Sequence, residues 1–230
     1  MKAERLVSID FLRGLTVAAM ILVNNPGSWD YVYAPLRHAE WHGCSPTDLV
    51  FPFFLFIVGL SINYALVSVK ETTGLSFSIA FKIIKRTLIL FLLGIFIAAF
   101  PVFEWNELRI PGVLQRIAIV FFVSSLIFLT LSKQVQVVLT IVILIGYWAV
   151  MTFIPVPNGE VNNLAPGKNI AAWVDNYLLN GHLWSFTKTW DPEGVLSTLP
   201  ALASVMIGIF AADILKKIKP AAERTTELFI

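Results

Sequence analysis

Six apolar runs, at 9–25, 49–69, 87–103, 111–131, 136–153 and 195–215, constrain this chain more than any other feature. A helix needs about 20 apolar residues to cross a hydrocarbon core about 30 Å thick, and each run is close to that length. FPFFLFIVGLSI at 51–62 and VFFVSSLIFLTL at 120–131 are apolar throughout. The strands of a membrane β-barrel instead alternate over segments of about 10 residues. Composition points the same way: 57% of residues are hydrophobic, 14% are charged and the mean hydropathy is +0.77. A soluble domain carries roughly 25% charged residues. The expected fold is all-α, a polytopic transmembrane bundle of about six membrane-spanning helices.

The first run reads as a retained helix, because Asp10 and Arg13 interrupt its start and no small-residue cleavage pattern follows. Cytoplasmic loops collect Lys and Arg. With the N-terminus inside, Lys2, Arg5, Lys70, Lys82, Lys85, Arg86, Lys133, Lys216, Lys217, Lys219 and Arg224 fall on the inner side. Arg37, Arg109, Lys168 and Lys188 fall outside, with all three histidines. The net charge of +2 follows from this inner bias, and no basic stripe with exposed aromatics suggests nucleic acid. No repeat or low-complexity segment divides the chain, so 1–230 is expected to form a single transmembrane domain. Leu228-Phe229-Ile230 follows a polar stretch at 216–227 and reads as the threshold of a seventh helix, which implies truncation before further helices.

The loop at 154–193 has 40 residues, long for a passive connection. Within it Ile170, Trp173, Val174, Tyr177 and Leu178 form the stripe of an amphipathic helix lying along the outer membrane surface. Trp184 and Trp190 suit membrane anchoring or stacking on a sugar.

Reactive side chains concentrate in LRHAEWHGCSPTDLVFPFFLFI at 36–57, where His38, Glu40, His42 and Asp48 precede an apolar run. Imidazole alone among side chains has an unperturbed pKa near neutrality, so His38 is the candidate base or acyl acceptor. An interfacial hydrogen-bonding role would also explain it. HAEWH lacks the spacing of HExxH and no second cluster supplies further ligands, so no metal is expected. The single cysteine, Cys44, has no disulfide partner.

Ser45-Pro46-Thr47-Asp48 has the spacing of a capping box, with proline at the first helical position. Helix starts are likewise expected at Pro111 and across Asp191-Pro192-Glu193-Gly194. Three N-termini at one face would suit an anion or a developing oxyanion. Capping alone also accounts for Asp48 and Asp191. Arg116 lies about 7 Å inside its helix at 1.5 Å per residue, where a guanidinium normally lines a cavity with a partner. Asp10 and Arg13, three apart, read as a structural pair. Asn24 and Asn25 end the first helix shortly before His38 and offer an amide to the same site.

Four ordered blocks carry a resemblance: RLVSIDFLRGLTVAAMILVNN, RHAEWHGCSPTDLVFPFFLFIVGLSI, RIPGVLQRIAI and DPEGVLSTLPA. Together they resemble the heparan-α-glucosaminide N-acetyltransferase family of membrane acyltransferases, in its bacterial members. The resemblance spans nearly the whole chain. It implies transfer of an acetyl group from cytoplasmic acetyl-CoA to an amino sugar or glycan on the far side, without specifying heparan. It places the active-site histidine on His38 and the neighbouring asparagine on Asn24.

The candidate catalytic set is therefore His38, Asn24 and Asp48. Arg116, Gln115, Trp41, Asp191 and Glu193 are the candidates for binding substrate or oxyanion. Lys82, Lys85 and Arg86 are the candidates for the donor's phosphates, although positive-inside topology alone explains them. Expected partners are the lipid bilayer of a bacterial inner membrane, the glycan acceptor and a second copy in a homodimer. A transporter or flippase for an anionic or sugar-like solute is the competing class, with Arg116, Asp48 and helix N-termini as its binding groups.

Overall fold

The computed structural model describes residues 7–157 and 164–216, together with Glu223 and Thr226. Seven α-helices follow in order: α1 Val7–Asn24, α2 Pro46–Thr72, α3 Phe77–Ala99, α4 Val113–Thr130, α5 Lys133–Phe153, α6 Ile170–Leu179 and α7 Thr198–Leu215. Five of them, α1, α2, α4, α5 and α7, are long and apolar enough to cross a membrane. The sixth expected span is α3. It starts ten residues before the apolar run and therefore carries Lys82, Lys85 and Arg86, while it ends at Ala99, ahead of Pro101. The expected seventh helix and the cations Lys2, Arg5, Lys217, Lys219 and Arg224 lie outside the described residues.

Helix starts follow their local chemistry in most places. Ser76 caps α3 by accepting from the Ile79 N–H at 3.4 Å, and Asn169 caps α6 by accepting from Ala172 at 2.9 Å. Before α2, the Asp48 carboxylate accepts from the Ser45 N–H at 2.8 Å, the returning half of a capping box. Gly112 precedes α4 without a side-chain cap. The start expected at Asp191 is displaced: residues 192–197 are turns and α7 begins at Thr198. The Asp191 carboxylate is committed to a distant arginine instead of a helix end.

The chain divides into two units, one of 1–67 with 204–230 and the other of 68–203. In the first, α2 and α7 meet backbone to backbone. A Cβ at Gly59 would lie 2.0 Å from the Val205 carbonyl oxygen, and one at Gly208 would lie 2.0 Å from that of Phe56. Small residues permit such an approach between membrane helices, where dispersion contacts replace the hydrophobic drive. Ile9, Ile57, Leu60, Ala211 and Ala212 fill the space beside the crossing. Asn63 is fully buried there and donates to the Ile209 carbonyl at 2.8 Å and to Asp213 at 2.7 Å. Arg13 reaches Asp10 at 3.4 Å, as the spacing suggests, and also Ser61 at 2.8 Å.

In the second unit α4 packs closely on α3, where the Gln115 side chain fills the space above Gly94: a Cβ there would lie 2.4 Å from Oε1. The last carbonyls of α4 have no helical partners. Gln136 donates to Leu131 at 2.9 Å and to Phe128 at 3.3 Å, and Lys70 donates to Leu131 at 2.9 Å. The surface helix α6 buries Ile170, Ala172 and Asp175 while Trp173, Tyr177 and Leu178 stay exposed. The expected stripe is thus divided: Ile170 packs inward with Ala172, whereas Trp173, Tyr177 and Leu178 face outward.

Gly59→Ala forces the α2–α7 backbones apart and is expected to destabilise the protein by about 1–3 kcal/mol, the usual range for overpacking. Gly14→Ala, with nothing within 4 Å of the new methyl, is the control. Thermal unfolding of both variants in detergent should show a lowered midpoint for Gly59→Ala alone.

Candidate active site

Two constellations of polar side chains stand out, one in each unit. In the first, His38 sits on the loop between α1 and α2, just beyond a 3-10 turn at Ala34–Leu36. Its Nδ1 lies 2.6 Å from Asp48 Oδ1. The other carboxylate oxygen accepts from the Ser45 N–H at 2.8 Å, the Ser45 hydroxyl at 3.0 Å and the Ala39 N–H at 3.2 Å. Asp48 is therefore held from three directions before it meets the imidazole. A carboxylate accepts only, so Nδ1 carries the hydrogen, and in the neutral imidazole Nε2 then presents a lone pair. The histidine side chain keeps 55% of its surface exposed, leaving Nε2 reachable. Thr47 donates to the Pro35 carbonyl at 3.1 Å and ties the loop to the start of α2.

Asn24 is the last residue of α1 and is exposed, without a hydrogen bond to His38 among the described residues. Trp41 is half-buried three positions beyond His38. His42 and Glu40 are exposed, and no group of three metal-ligating side chains occurs among the described residues.

In the second unit the expected residues gather around an arginine that sequence reasoning treated only as an outer-loop charge. Arg109 binds Asp191 through Nε at 2.8 Å and Nη2 at 2.6 Å, and Glu193 through Nη2 at 2.5 Å. Burial alone lowers the guanidinium's pKa, but the facing carboxylates outweigh it and raise it. Burial pushes the Glu193 carboxyl up against the pull of Arg109 and Arg116.

Arg116 is buried and donates to the carbonyls of Pro192 at 3.0 Å and Gly194 at 3.2 Å, and to the Ser197 hydroxyl. The expected partner of this intramembrane cation is thus a turn backbone rather than a carboxylate. Gln115 is wedged between Gly94 and Gly112, a packing position.

Asp175 of α6 was missed. It accepts from the Val195 N–H at 2.8 Å and the Asp191 N–H at 3.3 Å, and burial pushes its carboxyl up. A Cβ on Gly194 would lie 2.0 Å from its Oδ2. The only sequence signal was an acidic residue on the inner face of an amphipathic helix. His182 brackets Arg109 along the chain, with Nδ1 at 2.8 Å from the Leu108 carbonyl and its own carbonyl accepting from the Ile110 N–H at 2.9 Å.

Lys82 and Lys85 are exposed on α3 and make no ion pair with described residues, whereas the Arg86 guanidinium lies 4.6 Å above the Phe121 ring.

A family profile described as heparan-alpha-glucosaminide N-acetyltransferase, catalytic, matches residues 5–228. Heparan-alpha-glucosaminide N-acetyltransferase of Homo sapiens is 30% identical over 273 aligned positions, covering 98% of this chain and 40% of its own length. The Mus musculus protein of the same name is 30% identical over 260 positions, covering 93% and 39%. The chain spans about two-fifths of the length of these curated relatives.

The turn at 191–195 depends on Asp175 through two backbone hydrogen bonds. Asp175→Asn places an amide hydrogen against one of those N–H groups and is expected to cost about 1–3 kcal/mol, the penalty of an unsatisfied buried donor. Differential scanning fluorimetry should show a lowered midpoint, and Gly194→Ala should reproduce it by displacing the same carboxylate.

Proposed function

Because the chain belongs to the heparan-alpha-glucosaminide N-acetyltransferase family, we propose that it is a membrane-embedded N-acetyltransferase acting on an amino sugar or glycan, with His38 as its base. Acetyl-CoA from the cytoplasm supplies the acetyl group, and the acceptor lies on the outer side of a bacterial inner membrane. The observation that carries the reading is the 2.6 Å contact between His38 Nδ1 and Asp48. A carboxylate behind an exposed imidazole fixes the tautomer and stabilises the cation formed when the far nitrogen takes a proton.

The chemistry follows from that arrangement. The uncharged amine of the acceptor attacks the thioester carbonyl carbon while Nε2 of His38 removes a proton from the amine nitrogen. A carbon–nitrogen bond forms, the carbon–sulfur bond breaks, and the sulfur leaves with the proton that His38 held. Asp48 stays ionised throughout and steadies the imidazolium. Asn24, an exposed amide in the same unit as His38, is assigned to the oxyanion. Lys82 and Lys85 are assigned to the donor's phosphates. A solute carrier has no need of a buttressed, solvent-facing imidazole, so the pair favours an enzyme over the transporter alternative.

His38→Ala is expected to lower transfer of labelled acetyl from acetyl-CoA to glucosamine by about 10²–10⁴-fold in proteoliposomes, the range of a positioned base. Ser45→Ala removes one of the three bonds that hold Asp48 in place and should lower transfer less than His38→Ala does. A folded His38→Ala variant that transfers at the parent rate would sink the assignment. Label retained on His38 before acceptor is added would mark a covalent route through Nε2 rather than direct attack.

A further inference from the structure

In the unit that holds the His38–Asp48 pair, α2 and α7 enclose an apolar cleft of about 240 Å³. Its walls are Leu49, Pro52, Phe53 and Phe56 of α2 with Ser204 and Ile207 of α7. At Phe56 it gives way to the crossing where Gly59 and Gly208 bring the two backbones together. Its other end is Leu49, the residue after Asp48, about 10 Å back along α2 at 1.5 Å per residue.

The lining decides what can lie there. Ser204 is the only polar side chain in it, so a sugar or a nucleotide would leave its polar groups unpaired. Pockets for drug-sized ligands start at about 300 Å³, and this smaller cleft suits one narrow chain. Leu49, Phe53 and Ile207 stay exposed, on two helices long and apolar enough to cross a membrane. The cleft thus opens sideways onto hydrocarbon. One polar group meets it from the backbone: Pro52, inside α2, lacks the N–H that would pair the Asp48 carbonyl four residues back. The loop that carries His38 also exposes Trp29, Tyr31 and Tyr33, residue types that collect at the membrane–water boundary.

We propose that the cleft between Phe53 and Ile207 seats the hydrocarbon chain of the acceptor, so that the amine presented to His38 is carried on a lipid of the bilayer. The amine rests on the acetyltransferase reading; the chain is assigned from the cleft, from its continuity with Asp48 and from the aromatic loop at the boundary. A chain already dissolved in a bilayer gains little by exchanging one apolar surrounding for another. What the cleft supplies is position, holding the head group at the level of the imidazole.

The test uses the full chain in phospholipid vesicles with glucosamine and dodecyl glucosaminide as acceptors, the second also with a diazirine at the end of its chain. Irradiation is expected to label the cleft residues of α2 and α7 saturably, although phospholipid chains are in excess. Dodecanol, the chain without the sugar, should compete about tenfold less well than dodecyl glucosaminide, because it has no head group to place. Ile207→Trp fills the cleft and should raise the KM for dodecyl glucosaminide about tenfold, a modest cost for a misplaced reactant. Its kinetics with glucosamine and its melting temperature should match the parent. Leu49→Trp, on the other helix, is the second variant should the first unfold.

Label spread evenly over the spanning helices would overturn the proposal, as would equal competition by dodecanol, which would make the cleft a seat for any bilayer chain. An unchanged KM for dodecyl glucosaminide in a folded cleft variant would overturn it while leaving the enzyme reading intact. Saturable labelling of the cleft by a parent that acetylates neither acceptor would support the chain site and count against the enzyme reading.

Discussion

A hydrocarbon core tolerates no unpaired backbone or charged group cheaply, and this requirement bears on the polar groups buried along the spanning helices. Arg116 shows it most clearly. A guanidinium placed inside α4 is stable only because the 192–197 turns bring two carbonyls and a hydroxyl to it. Those turns replace the helix start that the sequence suggested, and they are held in turn by Asp175 from the surface helix. The buried cation thus ties Pro192, Gly194 and Ser197 to α4. The α2–α7 crossing answers the same requirement differently, with two glycines letting apolar helices approach until backbone meets backbone.

Asp48 illustrates how a structural role and a chemical one share a carboxylate. One oxygen completes the start of α2 through Ser45 and Ala39, and the other meets His38. A group so anchored loses little entropy when it orients the imidazole, the condition for a preorganised site. Anchoring the helix start and meeting the imidazole are not competing roles here, because a carboxylate has lone pairs enough for both. Asp191 shares its carboxylate too: it pairs bidentately with Arg109 and accepts from the Glu193 N–H at 2.9 Å, in a turn rather than at a helix start.

Much of the fold was legible. The runs that became α1, α2, α4, α5 and α7 were visible with ends off by a few residues, and α6 appeared as a stripe starting at Ile170. Each is a local pattern matched to a fixed bilayer thickness or a 3.6-residue period. The errors came where distant groups intervened. At Asp191 it was Arg109, 82 positions away, that took the carboxylate expected at a helix start, and α3 began at its Ser76 cap, ahead of its apolar run. In the site, His38 and Asp48 were singled out separately, but their contact was not visible, since the irregular chain that follows the 3-10 turn at Ala34–Leu36 sets it.

The sequence by itself determined that the chain is helical and membrane-spanning, which family it resembles and which histidine to suspect, because hydropathy, capping residues and ordered motif blocks are local properties. Only the tertiary structure decided which carboxylate serves which cation and that Asp48 faces the imidazole. Those outcomes depend on residues from separate segments meeting within about 3 Å, the reach of a hydrogen bond, and spacing along the chain carries no record of that.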